Sequence, residues 1–142
     1  MDDRVNDLFD WVEAQKTGIN PVAVREKVIE LRKQVDGEEN FVALNALYCA
    51  VTNLAIRTVT AEGKDVQPLI DARNADMKLF CIEEAMGADD RIDPVWLDRV
   101  VTREITAGRM SEDSFAELAR DGAEVLGSPK PPRQGLLRRL FG

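Results

Sequence analysis

Residues 89–93 read DDRID and bring Asp89, Asp90 and Asp93 within five positions. Clustered carboxylate oxygens suit Mg²⁺, a hard cation that takes oxygen ligands. A shared metal would need those acids on one face of a helix. Gly87 before them and Pro94 after them put them in a connecting loop instead. Asp93 is expected to cap the helix that Pro94 opens, with Asp89 and Asp90 near its positive end. Asp76, Glu83 and Glu84 form the other carboxylate set, around which a Mg²⁺-dependent hydrolysis of a phosphate ester or nucleotide would have to be built. Solvated acidic faces are the leading expectation for them.

DDRID resembles the DDxxD pattern with which isoprenoid synthases hold magnesium and a diphosphate, but that fold needs a far longer chain. The EExxE pattern of all-helical nucleotide pyrophosphatases does not occur. Histidine is absent altogether, which removes the ExxH pairs of di-iron bundles and any histidine-activated serine or cysteine. The three serines, Ser111, Ser114 and Ser128, stand at a helix start and in a linker. Cys49 and Cys81 are 32 positions apart, in no CxxC arrangement, so zinc and dithiol motifs are absent too. A reduced, buried pair is expected. No glycine-rich phosphate loop is present. The expectation leans away from an enzyme, with no catalytic residue, metal or cofactor.

The elements that position these residues read as helices. Val5, Leu8, Phe9 and Val12 lie on one helical face within Asp3 to Lys16. The second helix has Asn20 as cap, Pro21 at its first position and Ile19 placed to staple onto Val24; it runs to Val35 with Val24, Val28, Leu31 and Val35 on one stripe, and Gly37 is expected to end it. The third, Glu38 to Ala61, is apolar nearly all round through its middle and is expected at the centre. Its uncharged stretch, Asn40 to Ile56, is shorter than the roughly 20 residues of a membrane span. Asp65 to Met86 is the least regular segment, and helix is preferred there over a strand at MKLFCI. Asp93 and Pro94 repeat the capped start, with Ile92 and Leu97 at the staple positions and Val100, Val101 and Ile105 following. A sixth helix is expected from Ser111 to Leu126. INPVAV and IDPVWL invite a repeat reading, duplication of a helix pair, but shared capping chemistry is the preferred expectation. Trp11 and Trp96, both near helix starts, are expected in the core. Trp11 falls between the apolar stripe and the polar side of its helix, which makes it the better candidate for a partner-binding anchor.

The chain of 142 residues carries a net charge of −7, but unevenly. Residues 1–127 form an acidic helical domain with 15 basic against 26 acidic side chains, a charge of −11. Residues 128–142 form a proline-containing basic linker and tail, with Lys130, Arg133, Arg138 and Arg139 and no acid. An acidic body repels nucleic acid and anionic lipid and favours basic partners. The N-terminus, MDDRVNDLFDW, has no basic or apolar leader region, and a cytoplasmic location is expected.

In the tail, Leu136, Leu137, Leu140 and Phe141 fall within about 140° on a helix, with Arg138 and Arg139 opposite. Eight residues do not sustain a helix alone, so the segment needs a surface to dock on: the protein's own acidic body is expected first, then a second copy or another protein as a helix in a groove. QGLLRRLF is similar to the tail peptides that bind replication sliding clamps. The resemblance would make Gln134 and Leu137 the polar and aliphatic plugs and Phe141 the last aromatic; Leu140 stands where the first aromatic belongs.

The fold expected is all-α, an irregular bundle of five or six helices with a short amphipathic helical tail. The function expected is non-enzymatic: binding another protein, a second copy of itself included, in the style of an immunity protein or adaptor whose acidic body engages a basic or helical partner. The candidate contacts are Trp11 on the body and Gln134, Leu136, Leu137, Arg138, Arg139, Leu140 and Phe141 on the tail. Alternatives are the Mg²⁺-dependent hydrolase and a tail that contacts a sliding clamp or a membrane surface, the latter disfavoured by the charge of the body. Nucleic acid is not an expected partner.

Overall fold

The computed structural model describes residues 1–15, 18–86 and 90–113. It is all-α: five helices and, among the described residues, no strand, only an isolated antiparallel bridge between Met86 and Ile92. The helices are α1 (Asp3–Ala14), α2 (Pro21–Arg32), α3 (Glu38–Ala61), α4 (Gln67–Glu84) and α5 (Pro94–Thr106). The sixth helix expected from Ser111 lies outside the described residues beyond Asp113, and so does the whole tail.

The chain divides into two compact units, Met1–Arg73 and Asn74–Gly142, with the boundary inside α4. In the first, α1, α2 and α3 pack on one another. Val5, Leu8 and Val12 of α1, Val24, Val28 and Leu31 of α2, and Leu44, Leu47, Tyr48 and Val51 of α3 are buried, each set at helical spacing. Asn20 caps α2 as expected, its side chain accepting from the N–H groups of Val22 and Ala23 at 3.0 and 3.4 Å. Helix α2 ends at Arg32, earlier than expected, and Val35 reaches the core from the following turn.

Gly37 does not stop α2. It stands before α3 with φ at +98°, a left-handed value that glycine adopts at little cost. The N-terminus is tied there as well, because the Asp2 N–H donates to Asn40 Oδ1 at 3.0 Å.

The expectation that α3 is central through its middle holds only to Val51. Leu54 is 42% exposed and borders an open cleft of about 410 Å³ lined by Ile19, Pro21, Val51, Ala55, Thr58 and Val59. By length and composition α3 is also apolar enough to cross a membrane, although a third of its most apolar window is buried here. Apolarity all round told how little polar surface this helix has, not how much of it neighbours cover.

In the second unit, Asp93 caps α5 as expected, accepting from Val95 and Trp96 N–H groups at 2.9 and 3.2 Å. Met77, Phe80 and Cys81 of α4 and Leu97, Val100 and Val101 of α5 are buried. Segment MKLFCI is helical, as preferred. After α5 the chain turns on Gly108 at φ +78°, with Gly108 N–H donating to Ile105 O and Arg109 N–H to Glu104 O. That pair of bonds is a Schellman ending, in which the residue after the glycine is folded back over the last turn.

Candidate functional site

Helices α1 and α2 run antiparallel, since Arg4 meets Gln34 at one end of their seam and Trp11 meets Lys27 at the other. Between them lies a cavity of about 320 Å³ lined by Arg4, Asp7, Leu8 and Trp11 from α1 and by Lys27, Glu30, Leu31 and Gln34 around α2. Each set has the spacing i, i+3, i+4, i+7, so the α1 set is one face of its helix, and Lys27, Glu30 and Leu31 are one face of α2, extended by Gln34 in the turn that follows. The lining spans seven residues of rise, about 10 Å. Leu8 and Leu31 are buried and form the apolar floor, and the polar residues form the rim.

The rim charges are not equivalent. Arg4 is held at its end: Nε and Nη2 donate to the two Asp2 carboxylate oxygens at 3.1 and 3.0 Å, and Nη2 also donates to the Gln34 carbonyl at 3.1 Å. The Arg4 side-chain bond holds the Asp2 carboxyl below the usual carboxylate range, and the same bond raises Arg4. At the other end, the Lys27 ammonium stands 4.7 Å from the centre of the half-buried Trp11 ring, a cation–π contact. The Asp7 and Glu30 carboxylates, exposed between these ends, form no ion pair or hydrogen bond with a described residue. The groove thus offers an aromatic wall, an apolar floor and two uncommitted anions.

Comparison with protein-family models, characterised proteins and solved structures finds no match for this chain.

Of the residues singled out from sequence, Trp11 lies in this groove, at its rim rather than in the core. Trp96 is not in the core either: it is 41% exposed, beside Val95, on the first turn of α5, where the proline start turns those positions outward. The tail residues Gln134, Leu136, Leu137, Arg138, Arg139, Leu140 and Phe141 lie outside the described residues. Asp76, Glu83 and Glu84 do not share one solvated face, because only Glu83 is exposed and the other two are buried. Among the described residues, no three Cys, Asp or Glu side chains gather as a metal site would require.

Glu84 belongs instead to a chain of charges inside the second unit. Arg103 Nη1 and Nη2 donate to its two oxygens at 2.6 and 2.8 Å, the bidentate geometry that guanidinium and carboxylate favour. Arg103 Nε donates to Glu104 at 3.0 Å, and Arg109, brought back by the turn at Gly108, donates to both Glu104 oxygens at 2.9 and 2.7 Å. Burial by itself would push the Glu104 carboxyl up, yet Arg109 and then Arg103 outweigh it and hold it below its usual value. Burial likewise opposes the charge on Arg103, and Glu84 and Glu104 restore and strengthen it. These groups satisfy each other and leave no anion for a ligand. In the first unit Arg32 donates to buried Asn45 at 2.6 Å, with its guanidinium over the Phe41 ring.

Proposed function

We propose that the protein works without catalysis, by binding another protein, and that the groove between α1 and α2 receives a basic segment of that partner. The observation that supports this reading is the pair of uncommitted carboxylates, Asp7 and Glu30, beside the half-buried Trp11. A partly accessible tryptophan over an apolar floor is a common anchor of protein interfaces, and an anionic rim selects a cationic partner by steering and by local pairing. The excess of acids over bases in residues 1–127 acts in the same direction at longer range. A cytoplasmic site of action suits two cysteines that are buried and form no disulfide.

Affinity capture from cell lysate tests the reading with the intact chain and three variants: Trp11→Ala, Asp7→Asn/Glu30→Gln, and a chain stopped at Gly127. A partner retained by the intact chain and lost with the first two variants is the expected result. A partner retained equally by both overturns the groove as the contact. Loss with the truncated chain alone would assign binding to the basic tail.

A further inference from the structure

We infer that the cavity between α1 and α2 is a site for an arginine side chain, and that Lys27 is a built-in competitor occupying the aromatic wall until that arginine displaces it. The inference rests on the partner-binding reading above and names the group that the groove takes.

Charge along the seam carries the argument. Arg4 is already neutralised by Asp2 and fixed to Gln34, so it neither repels a ligand strongly nor leaves its place. The remaining rim charges are Asp7, Glu30 and Lys27, two anions against one cation. One further cation is therefore attracted while Lys27 stays, and the balance improves when it leaves. Lys27 is exposed, and its recorded contact here is the ring of Trp11 at 4.7 Å. An exposed cation–π contact of this kind is weak enough to be exchanged.

Arginine fits better than lysine for reasons of shape. Its planar guanidinium stacks on an indole face while directing N–H donors outward in its own plane, so one group can lie against Trp11 and still reach carboxylates on both helices. A lysine ammonium is a compact, strongly hydrated point charge that does not combine stacking with a fork of donors. The three-carbon stem of arginine would lie over Leu8 and Leu31. The cavity, about 320 Å³, is at the small end of the range of ligand pockets, about 300 to 1,000 Å³, as suits one side chain rather than a large cofactor.

The test uses N-acetyl-arginine methylamide and its lysine counterpart, titrated into the full chain while Trp11 fluorescence is followed. Exposed Trp96 is replaced by Trp96→Phe throughout, so that one indole reports. The arginine probe is expected to bind more tightly than the lysine probe, with affinity falling as salt is added. Lys27→Gln should tighten arginine binding about two- to fivefold, the worth of an exposed cation–π contact. Lys27→Arg, which restores a competitor, should not tighten it. Asp7→Asn/Glu30→Gln should abolish it. These four positions are exposed, so the variants fold as the parent does, and a thermal melt checks this. Failure of the arginine probe to bind both the parent and Lys27→Gln overturns the proposal. So does a double variant that binds unchanged, whereas a Lys27→Gln variant that binds no more tightly overturns the competitor role. If arginine binds as stated but partner capture is indifferent to Asp7 and Glu30, the arginine site stands and the partner-binding reading fails. If capture needs those acids but Lys27→Gln leaves arginine binding unchanged, the competitor role fails alone.

Discussion

Replacing Arg103 by methionine removes the hub of the charge chain in the second unit, and the size of the effect follows from what is left behind. Glu84 loses both of its short bonds, at 2.6 and 2.8 Å, while its side chain is only 1% exposed. Breaking a buried pair from one side costs about 3 to 5 kcal/mol, because the surviving charge is desolvated and unmatched. Arg103 itself is 18% exposed, so water follows it into part of the gap, and the lower end, about 3 kcal/mol, is expected. Glu104 keeps Arg109. Glu84→Leu together with Arg103→Met replaces both partners by apolar groups and should recover most of that loss, leaving about 1 kcal/mol for the bond withdrawn from Glu104.

Urea unfolding followed by helical circular dichroism measures the total. Because the chain has two units, a local readout is needed beside it. Cys49 lies in the first unit and Cys81 in the second, both buried and neither in a disulfide, so their rates of reaction with a thiol reagent report opening of each unit separately. Arg103→Met should speed modification of Cys81 and leave Cys49 unchanged. A single substitution that costs less than about 1 kcal/mol would refute the reasoning, as would a double variant no more stable than the single one.

Two further outcomes follow from the same region. The folded-state pKa of Glu104 lies below the usual 4.5, so the unfolded chain takes up its proton at a higher pH than the folded one. The stability that Glu104 contributes is therefore complete above about pH 4.5 and is lost as pH falls through the folded value; in Glu104→Gln, the unfolding midpoint should lose that part of its pH dependence between 5 and 3. Gly63 and Gly108 adopt φ of +73° and +78°, and a Cβ at either meets nothing within 4 Å. Gly→Ala should cost about 1 to 2 kcal/mol at each from the left-handed backbone. Gly108→Ala should cost about 1 kcal/mol more, because that turn also aims Arg109 at Glu104; thermal melts of the two variants give the difference.

The helix starts were legible because capping is local. Asn20–Pro21 and Asp93–Pro94 place acceptor, ring and first turn within four residues, and both caps are made as the sequence implied. What failed to read out depended on pairs distant in sequence. Arg103 and Glu84 are 19 positions apart, and nothing near Glu84 distinguishes it from its exposed neighbour Glu83. The exposure of Leu54 was equally hidden, since cover for an apolar helix comes from its neighbours. The groove was half legible. Trp11 stood out by type and by its place beside the apolar stripe, whereas Asp7, Lys27 and Glu30 looked like ordinary solvated charges. A signal did exist: Arg4, Asp7 and Trp11 on α1, and Lys27, Glu30 and Gln34 on and just after α2, stand at i, i+3 and i+7 beside the buried stripe, and a short connection makes such helices antiparallel neighbours whose rims face each other.

The two units use charge in opposite ways, and that contrast locates function better than the amount of charge does. In the second unit the buried carboxylates Glu84 and Glu104 are matched bond for bond by Arg103 and Arg109. A ligand cation arriving there would have to break short, charge-assisted bonds before making its own. Along the α1–α2 seam the one strong pair, Arg4 with Asp2, sits at the end, and the anions in the middle are exposed and uncommitted. A cation arriving there displaces water and, at most, one lysine from one aromatic face. The lower cost of that exchange is the physical reason for proposing the seam, rather than the buried network, as the place where a cation binds.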